Sequence, residues 1–269
     1  MGNKVYHKTP AEIELCRESS LLVCKTLSEL AAHIKPGVQT LHLDKIAYDF
    51  INDHNAVPGF LDYKGFPFSL CISVNDAVVH GFPSKYELKE GDIVSIDCGV
   101  LMNEFYGDSA YTYAVGEVSE EVERLMKVTM ECLELAIAQA ITGKRVGDIS
   151  FAVQNHAEKL NGYGVVRELT GHGLGKSLHE KPDVPNFGKR GRGSKLQEGL
   201  VIAIEPMINM GTKEVIKWDD GWTIATEDGL PSAHFEKMVV VRKGKADILT
   251  NYAMIEEAVK KNRELSASY

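Results

Sequence analysis

The stretches "LKEGDIVSID" (88–97) and "LQEGLVIAIE" (196–205) lie 108 residues apart and match at Leu, Glu, Gly and Ile, so that Asp97 falls on Glu205. At the same offset Cys24 falls on Cys132, Leu27 on Leu135, and "KPGVQT" (35–40) on "GKRVGD" (143–148). The register therefore holds without a gap from a first helix to a strand. A repeat this long, in two copies, argues against a solenoid and for two structurally related halves, about 10–115 and 118–242. They are read as pseudo-symmetric parts of one domain spanning 1–269, with a site at their junction that draws groups from each.

The elements around the repeat follow from local signals. Thr9, Pro10 and Glu12 spell a capped helix start, and the helix is expected to run to about Ile34, ahead of Pro36-Gly37. A second helix is expected near 40–54. Ser119 is expected to cap a helix that runs to about Ile141, with Gly143 as its stop, and another should cover 147–160. β-Branched, alternating stretches mark strands at 68–74, 92–99, 105–115, 164–170, 200–209, 222–226 and 234–242. The tail, 250–269, reads as a short helix and a loose end. Helices in pairs and strands in runs predict an α+β fold with a largely antiparallel sheet.

Bulk properties exclude several function classes. The 269 residues suffice for one large domain or two small ones with a sizeable core. A net charge of −8 argues against a nucleic-acid-binding surface. No run approaches the length of a membrane span, and the polar start "MGNKVYHKTP" is no signal peptide. It opens Met-Gly, but Tyr6 breaks a myristoylation motif. The five cysteines are an odd number with no Cys-x-x-Cys, which predicts buried small hydrophobes in a reducing cytoplasm.

The carboxylates are the oddity. Asp97 interrupts the apolar "IVSIDCG", and aspartate in a central strand needs a charge partner or a metal. With Leu101–Glu104 as the turn, Asp97 would stand directly opposite Asp108 on one face, where two carboxylates repel unless a cation intervenes. The second half repeats this with Glu205 in "IAIEPMI" and Glu236 in "AHFEKMVVV", with an Asp-Gly turn in "WDDGWT" (218–223) between them. Any one of these alone reads as an edge charge facing water; four at repeat-related positions do not.

"TGHGLGKSLHE" (170–180) adds two histidines, His172 and His179. A phosphate-binding loop would need glycine at Thr170, so "GKS" carries no nucleotide site. Four carboxylates and an imidazole suit two divalent ions, Mn²⁺, Fe²⁺, Co²⁺ or Zn²⁺. Such pairs lie roughly 3.5–4 Å apart and share a water of lowered pKa, which is hydrolase chemistry.

At these residues the sequence resembles the type I methionine aminopeptidases of the pita-bread fold. The resemblance spans about residues 5–245 and rests on "VVHGFP" (78–83), "DIVSIDCG" (92–99), "FYGDSAYT" (105–112), "TGHGLGKSLHE", "IAIEPMI" (202–208), "DGWT" (220–223) and "HFEKMVVV" (234–241). It implies two pseudo-symmetric halves with a curved sheet covered by paired helices. It implies metal ligation by Asp97, Asp108, His172, Glu205 and Glu236, with Asp108 and Glu236 bridging. It implies catalytic roles for Glu205 as proton shuttle, His179 against the scissile peptide, and His80 against the residue beyond it. Tyr63, Phe66 and Cys71 would wall a methionine pocket rimmed by Trp222. The implied activity is removal of the initiator methionine from N-terminal peptides of nascent proteins when the next residue is small. The implied setting is a cytoplasmic monomer that associates transiently with ribosomes, with no membrane or specific nucleic-acid partner.

Lys64, Lys237, Leu178 and Ser95 depart from the family's common residues, and none of them removes a ligand. His234, two residues before Glu236, could share its face but stands outside the expected set; His7, His33, His42, His54 and His156 read as surface or helix-face residues. Two other readings are a relative that cleaves before proline or acts on creatine, and a non-catalytic member of the fold. The first usually carries a large extra N-terminal domain, and the second tends to lose ligands that are all present here.

Overall fold

The computed structural model describes residues 5–266; the Met1-Gly2 start and the last three residues, 267–269, lie outside the described residues. Helix α1 (Pro10–His33) starts at Thr9, whose hydroxyl accepts the Glu12 N–H while the Glu12 carboxylate accepts the Thr9 N–H at 2.8 Å. This is the expected capping box. Helix α2 (Thr40–Asp53) follows, and the second pair is α3 (Glu120–Ile137) and α4 (Val146–Gln154), the latter continuing as a π-helical turn, Asn155–Leu160. Ser119 caps α3 as expected, with Glu120, Glu121 and Glu123 in its first turn, where a helix favours negative charge. The predicted end of α3 at Ile141 is corrected. The helix stops at Ile137, because Ile141 bridges to Arg242 and the Thr142 N–H donates to the Arg242 carbonyl. Pairing with the sheet, rather than Gly143, ends it.

The largest feature is an antiparallel hairpin of Ile93–Met102 and Phe105–Val115. Its turn is Asn103-Glu104, with φ of 51° and 65°, the two positive values of a type I′ turn. The expected four-residue turn at Leu101–Glu104 is therefore wrong. Leu101 and Met102 stay in the strand, Asp97 stands opposite Ala110, and Asp108 opposite Gly99. The shift is by two residues, so both aspartates keep one face and become diagonal neighbours. Strand Leu70–Val74 pairs along the other side of Ile93–Met102, placing Cys71 beside Asp97.

The tail is also corrected. After α5 (Tyr252–Lys261), which packs on α1, Leu265-Ser266 pairs with Val115 and Ala114 instead of ending loose.

A second five-stranded antiparallel sheet orders Asp247-Ile248, Lys237–Val240, Val201–Ile204, Thr170–Gly173 and Glu180–Pro185. Three expected strands are each broken in two. The stretch 164–170 resolves into Gly164-Val165 and a separate Thr170–Gly173. The stretch 200–209 breaks at Glu205-Pro206, and 234–242 breaks at Phe235-Glu236. Pro206 has no N–H to give a ladder, and the Glu236 N–H turns to the Ala110 carbonyl of the hairpin at 3.0 Å. Beyond the breaks, Met207–Asn209 and Ser232–His234 pair with each other in a smaller sheet that also takes in Gly164-Val165. Val215–Lys217 and Ile224–Thr226 form an extra hairpin that docks on Ala77–Val79, which is why the 108-residue register does not reach Glu236.

Leu27, Leu30, Ile96, Tyr113, Ile202 and Ile255 belong to one apolar core between helices and sheets. All five cysteines are buried and free, as expected.

One helix-to-sheet tie titrates. Asp44 on α2 accepts the N–H groups of Ser69 and Leu70 at 2.9 Å each. Burial pushes its pKa up to about 6, against those two donors. The folded state then holds this proton more tightly than the unfolded chain, so the contribution of Asp44 to stability falls as pH rises from about 4 to about 6. Asp44→Asn keeps an acceptor oxygen without a titration. The variant is expected to show a shallower fall of the urea midpoint across that window; an unchanged slope would remove Asp44 from the account.

Candidate active site

The structure brings all five expected ligands together. Asp97 and Asp108 come from the hairpin, His172 from Thr170–Gly173, and Glu205 and Glu236 from the two strand breaks. His172 Nε2 lies 3.7 Å from Asp108 Oδ2 and 3.6 Å from Glu205 Oε1. Ligand atoms of Asp108, His172 and Glu236 all fall within 4.8 Å of one another, and all three residues are buried.

Asp97 Oδ1, Asp108 Oδ1 and Glu236 Oε1 are buried without a hydrogen-bond partner. Orphaned carboxylate oxygens are costly unless a cation meets them. Burial drives the Asp97 pKa up to about 7. Burial, then the neighbouring carboxylates, drive Asp108, Glu205 and Glu236 well above the usual carboxylate range.

The imidazoles move the other way. Burial holds His172 down to about 4, so it is neutral near pH 7 and its approaches to the carboxylates are not ion pairs. Its Nδ1 faces the Gly173 carbonyl at 3.0 Å. Donation there places the proton on Nδ1 and turns the Nε2 lone pair toward the carboxylates, the arrangement of a metal-bound histidine. Oxygen-rich donors with a neutral imidazole fit a divalent transition-metal ion.

The glycines around the histidines have a steric cause. A Cβ on Gly171 would sit 2.4 Å from the Ala203 carbonyl oxygen, so a side chain there would force the His172 strand away from its neighbour. Likewise His80 adopts φ of 57° beside Gly81, where a Cβ would meet the Ile72 carbonyl oxygen at 2.3 Å. His80 is thereby set into the cavity wall.

The cavity has a volume of 310 Å³, with the ligands at its floor and His80 and His179 among its lining. Phe60, Phe66, Cys71 and Leu178 form an apolar wall joined by Tyr63 and Trp222, and Phe66 meets the Trp222 ring edge-on at 5.2 Å. His179 Nδ1 lies 2.8 Å from the Tyr63 hydroxyl, and its ring centroid is 4.2 Å from that of His172. Burial, with His172, Lys64 and His80 nearby, lowers His179 to about 3.

Of the departures, Leu178 and Lys64 line the cavity. Ser95 bonds Thr112 Oγ1 at 2.8 Å, and Lys237 Nζ lies 4.2 Å from the Tyr252 ring centroid.

Residues outside the expected set also reach the site, among them His234 and Phe60. His234 is buried with its Nε2 unpartnered, 3.7 Å from Glu205 Oε2. Its signal was the two-residue spacing from Glu236. Phe60 completes the wall because Gly99 leaves room for its ring, and no sequence pattern marked it.

Carboxylates and neutral imidazoles gathered in one cavity beside an aromatic wall, on antiparallel sheets backed by helix pairs, are the donor set of a metal-dependent hydrolase. The sequence model of metallopeptidase family M24 matches residues 14–243. The methionine aminopeptidase of Clostridium perfringens is 50% identical over 243 residues, covering 90% of this chain and 97% of that protein. Methionine aminopeptidase 1 of Bacillus subtilis is 45% identical, covering 90% and 98%. The crystal structure of the methionine aminopeptidase from Rickettsia prowazekii matches with a TM-score of 0.90 at 41% identity, over 92% of this chain and 100% of that one. The chain belongs to metallopeptidase family M24, among its methionine aminopeptidases.

Like charges packed this closely destabilise the metal-free protein. Asp108→Asn is therefore expected to raise the melting temperature in chelator and to weaken Mn²⁺ binding by more than about tenfold, a loss already typical of changing a residue behind a ligand. Melting curves in chelator and in Mn²⁺ check both signs. A variant less stable in chelator, with unchanged Mn²⁺ stabilisation, would contradict the reading.

Proposed function

We propose that the protein removes the initiator methionine from N-terminal peptides of nascent proteins when the second residue is small. The observation that carries this is the joining, in one cavity, of the five-residue carboxylate and histidine floor to an aromatic and sulfur-bearing wall. An unbranched thioether packs well against aromatic faces, and Phe66, Cys71, Tyr63 and Trp222 offer such a surface. The kinship with methionine aminopeptidases agrees with this choice of side chain.

Asp97, Asp108, His172, Glu205 and Glu236 would hold two divalent ions, Mn²⁺, Fe²⁺, Co²⁺ or Zn²⁺. Such ions polarise the scissile carbonyl and lower the pKa of water toward neutrality. The remaining work falls to side chains. Glu205, on the cavity floor with its side chain 13% exposed, takes the proton of the attacking water and delivers it to the leaving amine. Its Oε2 faces His234, a neutral polar neighbour that limits its orientations. A Tyr63 O–H donating to His179 Nδ1 leaves the proton on His179 Nε2, ready to donate to the oxyanion that develops on the carbonyl. His80, in the same cavity wall, binds the amide beyond the scissile bond. Asp97 Oδ1, Asp108 Oδ1 and Glu236 Oε1, which lack hydrogen-bond partners, would turn to the bound ions, so the groups that strain the metal-free protein would also orient the reaction.

The reading is tested by stripping metal, adding back Mn²⁺, Co²⁺, Fe²⁺ or Zn²⁺ separately, and assaying Met-Ala-Ser against Ala-Pro and Leu-Gly peptides. Methionine release with at least one ion is expected; failure with all four sinks the proposal. His179→Ala should lower kcat by about 10²–10³, the usual cost of an oxyanion donor, while two ions remain bound. Loss of an ion in that variant would make His179 a ligand instead.

A further inference from the structure

We infer that Tyr252, on the C-terminal helix α5, is a positioning residue for Glu236, holding that carboxylate in register with Asp97 and Asp108. The inference rests on the reading of Glu236 as a metal ligand.

Glu236 falls in the break between Ser232–His234 and Lys237–Val240, so no sheet ladder holds its main chain. Other groups do this instead. Its carbonyl accepts the Ser109 hydroxyl at 2.6 Å. Its N–H faces the Ala110 carbonyl at 3.0 Å and the Tyr252 hydroxyl at 2.9 Å. The same hydroxyl lies 2.5 Å from the Ala110 carbonyl and 2.8 Å from the Glu236 carbonyl. A phenol carries one proton and accepts others. With the Glu236 carbonyl served by Ser109, the phenol donates to Ala110 and accepts the Glu236 N–H. Ala110 stands directly opposite Asp97 and follows Asp108 by two residues. One buried oxygen therefore ties the Glu236 segment to the strand of Asp108, which is itself paired with the strand of Asp97.

Its placement is over-determined. Tyr252 is 4% exposed, with the Tyr111 ring 5.1 Å away edge-on and Lys237 Nζ 4.2 Å from its ring centroid. The ring fixes the oxygen, and α5 fixes the ring by packing on α1. A carboxylate pair that shares cations tolerates little relative movement, because ligand spacing sets affinity.

The test compares the full chain with Tyr252→Phe, Ile255→Ala and Glu236→Gln. Ile255 is a buried apolar residue of α5 without a polar group, so its truncation reports loss of packing alone. Each metal-stripped protein is titrated calorimetrically with Mn²⁺, melted, and loaded with Co²⁺ for visible absorption. Tyr252→Phe is expected to weaken the less tightly held ion about tenfold, in the range for residues behind metal ligands, and to shift the Co²⁺ bands. Ile255→Ala should lower the melting temperature and leave affinity and bands unchanged. Wild-type affinity and bands in Tyr252→Phe would overturn the inference, as would equal changes in Ile255→Ala. If Glu236→Gln also binds Mn²⁺ like the wild type, the ligand reading itself has failed; if only Glu236→Gln weakens binding, the role of Tyr252 alone is lost.

Discussion

Mutual repulsion of four carboxylates in one buried floor is the constraint on which the rest of the structure turns. Each is raised by burial, and Asp108, Glu205 and Glu236 are raised further by the others. Buried charge without a partner is among the costliest features a fold can hold. Asp97 Oδ1, Asp108 Oδ1 and Glu236 Oε1, all from residues that line the one cavity, are left without hydrogen bonds. Divalent cations would resolve the conflict, and the neutral His172 would add a nitrogen donor without adding charge.

Holding such a cluster requires rigid surroundings, and the fold supplies them by changing sheets at the site. Glu205 and Glu236 sit where a strand leaves one sheet for another. A side chain at such a corner can reach the cavity floor while its neighbours pack in apolar layers. Val201, Ala203, Met238 and Val240 lie in one buried cluster, whereas Ile202, Ile204 and Val239 lie in another. The break frees the carboxylate from the ladder, and hydrogen bonds from the hairpin and α5 restore its position.

Much of this was legible because it is local or repeated. The 108-residue repeat aligned Asp97 with Glu205, and Thr9 and Ser119 marked their helices through cap chemistry. The paired helices and antiparallel sheets followed from the pattern of elements. What escaped depends on distant partners. Asn103 and Glu104 carry positive φ without a glycine to signal it, so the hairpin register was read two residues off. The sheet switch at Phe235-Glu236 comes from a bond to Ala110, and the end of α3 from a bridge to Arg242. Phe60 reaches the site through folding alone, whereas His234 had only its spacing from Glu236 to mark it. The tail looked loose because its pairing partner, Ala114-Val115, lies in the other half of the chain.

The central claim is that Asp97, Asp108, His172, Glu205 and Glu236 together hold two divalent ions at the cavity floor. It is tested most directly by anomalous diffraction from crystals of the stripped protein soaked in Mn²⁺. The account predicts two anomalous peaks at the floor, roughly 3.5–4 Å apart, with these five side chains as their protein ligands. A single peak held by other residues, or no peak at the floor, would contradict it.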